Sequence, residues 1–194
     1  TIAGVGKAAL GAAGGLLALV ERSAASAANI DDMARRLSVG STELQLIVSG
    51  FVLTFGLTLV PMGRLGDQRS RRVLFVVGLS LFTLTSLACA LAPTSEVLLI
   101  ARLLQGVAAG IQMPQVVGLI QELYQGPERG RAFGMFGATI GLATAFGPTL
   151  GGLLIALGGP VDGWRWVFGM NVPLGLLAII LVLTLLPHTR ARSE

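Results

Sequence analysis

Along this chain, apolar and polar residues alternate in long blocks rather than at the two- or four-residue spacing of soluble strands and helices. Leu44 to Met62 contains no charged residue, and neither does Val73 to Ser95. Between them lies Gly63 to Val73, GRLGDQRSRRV, with four arginines and one aspartate in eleven residues. An α-helix needs about 20 apolar residues to cross the hydrocarbon layer of a bilayer. The pattern therefore predicts two membrane spans joined by a short hydrophilic turn over 63–73.

The same alternation continues on either side. Ile2 to Ala28 is rich in Ala and Gly and reads as a weaker first span, with Lys7 near its start and Glu21-Arg22 inside it. A loop of mixed charge, Ile30 to Glu43, follows. Val97 to about Gln121 is apolar apart from Arg102, Glu122 to Arg131 is a second hydrophilic turn, and Ala132 to Val161 carries no charge. Asp162 to Arg165 is polar, and Trp166 to Leu186 is apolar again, its start marked by the interfacial aromatics Trp164 and Trp166. The expectation is an all-α membrane protein, a six-transmembrane-helix bundle with spans at about 2–28, 44–62, 73–92, 97–121, 132–157 and 166–186.

Composition agrees with that picture. The chain is 53% hydrophobic and 12% charged, against about a quarter charged in soluble domains. Its 27 glycines suit helices that approach closely in lipid. The pI near 10.6 could suggest nucleic acid, but no basic patch with interleaved aromatics occurs, so no nucleic-acid partner is expected. The cations instead sort by loop. Nine of the fourteen, Lys7 and Arg64, 69, 71, 72, 129, 131, 190 and 192, fall on the side of the arginine-rich turn; Arg35, Arg36 and Arg165 fall opposite. Short loops rich in Lys and Arg stay in the cytoplasm. The asymmetry thus predicts a multi-pass protein of the cell membrane with both termini cytoplasmic.

Few residues could carry chemistry. Cys89 is the single cysteine and His188 the single histidine, so neither a disulfide within the chain nor a cysteine–histidine metal site is expected. No nucleophile–base pair or paired carboxylates lie within the spans, and an enzyme is not expected. Arg102 stands out, because an arginine inside a span is costly unless it meets a partner or water. Gln105 and Gln112 share its helical face at i+3 and i+10, which makes a polar stripe. The alternative is an arginine near the helix end that snorkels to the interface. Glu21 is the one carboxylate well inside a span, and desolvation disfavours its charged form, which suits proton binding and release. Its neighbour Arg22 allows the plainer reading of a poorly formed span. In the second span Gln45, Ser49, Val52 and Gly56 form one polar or small face expected to look into the protein. In the fifth, Gly134, Gly137, Gly141, Gly147, Gly151 and Gly152 surround Pro148, a combination fit for close packing and for a bend.

These residues resemble the major facilitator superfamily, in particular its fourteen-span drug:proton antiporter branch. Gly63-Arg64-Leu65-Gly66-Asp67-Gln68-Arg69-Ser70-Arg71-Arg72 is similar to the family's loop motif between spans two and three, with Ser70 where a Gly is usual and Gln68 where a base is usual. Leu99-Ile100-Ala101-Arg102-Leu103-Leu104-Gln105-Gly106 resembles its fourth-span motif, and Gly141 through Gly147-Pro148-Thr149-Leu150-Gly151-Gly152 its antiporter motif. Trp164-Arg165-Trp166-Val167-Phe168-Gly169-Met170-Asn171-Val172-Pro173-Leu174-Gly175 resembles the opening of span six. The first span departs from the family, since Val20-Glu21-Arg22-Ser23 leads to no proline.

The resemblance implies one half of a two-bundle transporter that exports amphipathic compounds, with the proton gradient as energy source and no cofactor. It implies proton coupling at Arg102, with Gln105, Gln112 and Glu21 in a polar cavity. It implies a conformational latch at Gly63, Asp67, Arg71 and Arg72, and gating at Gly141, Gly147, Pro148, Gly151 and Gly152. The partners expected are the bilayer, a small-molecule substrate, and a missing C-terminal half or second copy. A facilitator for another solute, or a degenerate half acting as an assembly protein, are the alternatives.

Overall fold

The computed structural model describes residues 40–185. Five helices make up that range: α1 Ser41–Gln68, α2 Arg71–Ala90, α3 Ser95–Leu123, α4 Gly126–Gly169 and α5 Asn171–Leu185. Helix is what lipid demands, because it closes its backbone hydrogen bonds within one segment. Five stretches are long and apolar enough to cross a bilayer: Thr42–Gln68, Arg71–Ala90, Ser95–Leu123, Gly126–Gly159 and Asp162–Thr184. The expected first span, 2–28, lies outside the described residues, and Glu21 with it.

α4 holds one of those spans and the start of another. Helical dihedrals continue through Pro148 and break once, at Gly159, with φ 78° and ψ 174°, a conformation open to glycine. The reversal there is tight: a Cβ on Gly163 would lie 2.5 Å from the Ile155 carbonyl oxygen. The last span is interrupted again at Met170. Pro173 has no N–H to give the Gly169 carbonyl four residues earlier. It falls in the first turn of α5, where N–H groups lack helical acceptors in any case.

Two expectations are corrected. First, the hydrophilic turns are shorter than the charge pattern suggests. α1 runs on to Gln68 and α2 starts at Arg71, so only Arg69 and Ser70 remain of the 63–73 turn. The 122–131 turn shrinks to Tyr124 and Gln125, and residues 162–165 are helical. Charge ends a span but not a helix, since Arg and Glu are good helix formers once the headgroup region is reached. Second, Gln45, Ser49, Val52 and Gly56 are all exposed. The face of α1 that packs carries Ile47, Gly50, Phe51 and Thr54 instead, and it meets α3. Glycines on the partner helix select that face. A Cβ on Gly106 would collide with the Phe51 carbonyl oxygen, and one on Gly110 would lie 2.9 Å from that of Phe55. The Thr54 hydroxyl then donates across to the Leu103 carbonyl at 2.9 Å.

The interior is layered along α3. Near the Ser95 end, Leu98 and Ala101 join Ile47, Cys89, Trp164, Val167 and Phe168. In the middle, Ala108 and Ala109 meet Phe51 and Phe82. Towards the arginine turn, Val116, Leu119 and Ile120 pack with Phe75, Leu79, Phe136, Ala178 and Val182. Between these apolar clusters lie two polar layers.

Candidate functional site

The first polar layer is built on Arg102. It stands seven residues into α3, about 10 Å from the helix start at 1.5 Å per residue. It is only 4% exposed, so it does not snorkel. Its Nη1 donates to Gln105 Oε1 at 2.8 Å. Gln105 Nε2 donates in turn to Ser86 Oγ on α2 at 2.7 Å, and the Cys89 thiol lies 3.9 Å from Gln105 Oε1. The guanidinium faces the Phe51 ring of α1 at 4.5 Å and the Phe168 ring of α4 at 5.6 Å, distances at which a ring quadrupole attracts a cation. Side chains from four helices thus surround one fixed positive charge.

The second layer holds Gln112 and Gln115. Gln112 backs onto α2, where a Cβ on Gly78 would lie 2.9 Å from the Gln112 backbone nitrogen. Its Oε1 is buried without a hydrogen-bond partner. Gln115, which is fully buried, donates through Nε2 to the Met62 carbonyl of α1 at 2.8 Å and to Ile111 at 3.2 Å. The single stripe read from the sequence is therefore two layers. Arg102 and Gln105 share the first, and Gln112 stands apart from them beyond Ala108 and Ala109.

At the arginine-turn end, Asp67 and Arg71 form an ion pair across the break between α1 and α2. The Arg71 guanidinium lies over Gly118 of α3, so close that a Cβ there would displace it. Arg72 goes elsewhere: it is 7% exposed, and its Nη2 donates to the Leu183 carbonyl near the end of α5 at 2.8 Å. A Cβ on Gly63 would meet Pro114 only at ordinary contact distance. On the next turn, Arg129 donates to the Gln121 and Tyr124 carbonyls, both at 3.1 Å, and so satisfies the end of α3. Burial raises the Tyr124 phenol above its usual range, and the Glu128 carboxylate adds to the effect.

The glycines of the fifth span divide between two faces. Gly147 and Gly151 are buried, in line with Ala143, whereas Gly134, Gly137, Gly141 and Pro148 are exposed and Gly152 is half-buried. A Cβ on Gly134, Gly137 or Gly141 would meet nothing. Among the described residues no cluster of His, Cys, Asp or Glu could hold a metal ion.

Sequence reasoning did not find Ser86, Gln115, Arg129 or the role of Gly106 and Gly110. The glycine pair had a signal, four-residue spacing opposite an aromatic face. Ser86 and Gln115 had none, because Gln105 and Met62, the partners that tie them in, lie on other helices.

Comparison with known proteins bears on this arrangement. The family model of the Major Facilitator Superfamily matches residues 10–194. The chain is 40% identical over 160 residues to the "Probable actinorhodin transporter" of Streptomyces coelicolor, covering 82% of this chain and 27% of that protein. It is 36% identical over 155 residues to the "Methylenomycin A resistance protein" of the same species, covering 78% of this chain and 31% of that one. The chain therefore spans about a third or less of the length of these relatives. In fold it is similar to a bacterial homolog of the human lysosomal transporter Spinster in an inward-facing, occupied conformation, with a TM-score of 0.81 at 18% identity over 97% of this chain and 45% of that one. A buried arginine network inside a bundle of apolar helices, with a family match along nearly the whole sequence, leads to one assignment: the chain belongs to the Major Facilitator Superfamily.

Proposed function

We propose that this chain is the N-terminal six-span half of a proton-coupled exporter of amphipathic small molecules, a transporter and not an enzyme. The observation that carries the reading is the Arg102–Gln105–Ser86 network, a charge held inside a membrane bundle by partners from two helices. Such a charge is expensive in lipid and marks an ion or substrate path. Relatives whose names record antibiotic transport and resistance support the export direction.

Arginine stays protonated at physiological pH, so Arg102 does not itself carry the proton. In this reading it competes with a proton for a carboxylate, and Glu21 is the acid assigned that role. Gln105 holds the guanidinium in place. Asp67 and Arg71 latch the arginine-turn end in one state of the cycle, with Gly63 and Arg72 beside them. Gly141, Gly147, Pro148, Gly151 and Gly152 line the helix that closes the path. A second six-span bundle, following in the same polypeptide or supplied by another copy, forms the opposite wall. The protein resides in the cell membrane with both termini in the cytoplasm and needs no cofactor beyond the proton gradient.

The test uses the complete polypeptide in sealed vesicles under an imposed pH gradient. Uptake of an amphipathic cationic dye should follow the gradient, and Arg102→Gln should abolish that coupling. Dye movement that ignores the gradient in the unmodified protein would overturn the reading.

A further inference from the structure

Away from the Arg102 network, an open groove of about 500 Å³ lies beside the α4–α5 break, lined by Leu154, Arg165, Trp166, Gly169, Met170 and Pro173. We propose that this groove is a phospholipid site, with the lipid phosphate on Arg165 and an acyl chain between Leu154, Trp166, Met170 and Pro173. The proposal is independent of the transport reading and needs only that these helices cross a bilayer.

Three observations carry it. The first is the wall. Five of its six lining residues are apolar or glycine, and the volume falls in the range of small-molecule sites. The second is the charge. Arg165 Nη2 donates to the Ala92 carbonyl at 3.0 Å, and Asp162 Oδ1 lies 3.1 Å from Nε. These contacts, with the Trp164 ring 5.1 Å beneath the guanidinium, fix the group in place. Nε is buried without a hydrogen-bond partner despite that carboxylate, and Nη1 makes no hydrogen bond among the described residues. An arginine held in this way offers a phosphate oxygen a charge-assisted bond at little ordering cost. The third is continuity with lipid. Trp166 is 57% exposed at the rim, where indoles sit at headgroup level. From Pro173 an exposed apolar track continues along α5 through Leu177 and Ile180. It is long enough to carry the remainder of an acyl chain towards the bilayer centre.

Bulk annular lipid would wet the same helix without choosing a place on it. The groove differs because it pairs a concave apolar wall with a single positioned cation. A headgroup with its phosphate on Nη1 also meets Asp162, which is half exposed and disfavours a second negative charge there.

The test is photolabelling of the complete polypeptide in vesicles of phosphatidylcholine doped with a photoactivatable phosphatidylcholine, read by peptide mass spectrometry. Labels should concentrate on the peptide holding residues 154–173, by at least fivefold over the exposed face of α2. Arg165→Gln should cut that labelling several-fold, while Arg165→Lys retains part of it. Arg165 also ties the chain at Ala92, so Met170→Trp, which fills the groove and leaves the arginine in place, gives a second arm and should remove the labels. Uniform labelling along the exposed helix faces, undiminished labelling in Met170→Trp, or none at 154–173 because a second bundle covers the groove, would each overturn the proposal.

Discussion

Gln105 joins two helices through Ser86: its Nε2 donates to the serine oxygen at 2.7 Å while its Oε1 accepts from Arg102 at 2.8 Å. One amide thus serves a charge on its own helix and a hydroxyl on the next. Leucine in its place strands both. Gln105→Leu should destabilise the bundle by about 1–3 kcal/mol, the range for leaving buried polar groups unsatisfied. Ser86→Ala leaves the buried Gln105 amide donor unpaired and should also cost about 1–3 kcal/mol. Thermal unfolding in detergent measures both, and a Gln105→Leu protein as stable as the parent would contradict the network.

The α1–α3 contact should be intolerant of a single methyl group. Gly106→Ala drives a Cβ into the Phe51 carbonyl and the Thr54 hydroxyl, and overpacking of this kind costs about 1–3 kcal/mol. Gly137→Ala on α4 meets nothing and should stabilise residues 1–194 by about 0.5–1 kcal/mol, the helical gain of alanine over glycine. In the complete transporter that gain should vanish if the opposing bundle lies against α4. Unfolding midpoints of both proteins decide the matter.

Gly118 makes room for the Arg71 guanidinium, and Arg71 pairs with Asp67. Gly118→Ala should therefore act through the ion pair. The pair is partly solvent-exposed, so the change in stability should stay under about 1 kcal/mol. Transport is the sensitive readout: Gly118→Ala and Asp67→Asn should be non-additive in a double-mutant cycle. Strictly additive effects would separate the glycine from the pair.

Tyr124 gives a pH signal. It is the chain's single tyrosine, so tyrosinate absorbance of residues 1–194 reports it alone. Burial first, and Glu128 second, hold the phenol neutral above the ordinary value of 10.0. A group whose folded value is raised adds stability below the unfolded value and loses it as pH climbs past that point. Absorbance should rise at higher pH than in the unfolded chain, stability should decline above about pH 10, and Glu128→Gln should move the titration back down only in part.

Five helices long and apolar enough to cross a bilayer were legible because lipid imposes a length on every apolar block. The Asp67–Arg71 pair was legible only through the resemblance of 63–72 to the family's loop motif. Where the helices end was not, since the charges of 63–73 say where the hydrocarbon stops and nothing about where backbone hydrogen bonding stops. Glycine count does not say which face packs: in α4, Gly134, Gly137 and Gly141 are open while Gly147 and Gly151 are buried, and on α3 Gly106 and Gly110 meet α1. A local pattern records which helix can be approached, and only the assembled bundle records which one is. The same holds for Gln112, which shares a helical face with Arg102 yet sits in another layer.

Arg72 grips the Leu183 carbonyl at one surface of the bundle, and Arg165 grips that of Ala92 at the other. The antiparallel pair formed by α2 and the last span is thereby riveted at both extremities. Neither rod can slide a helical turn along the other without tearing out a rivet. Any displacement must carry the two rods together as one frame.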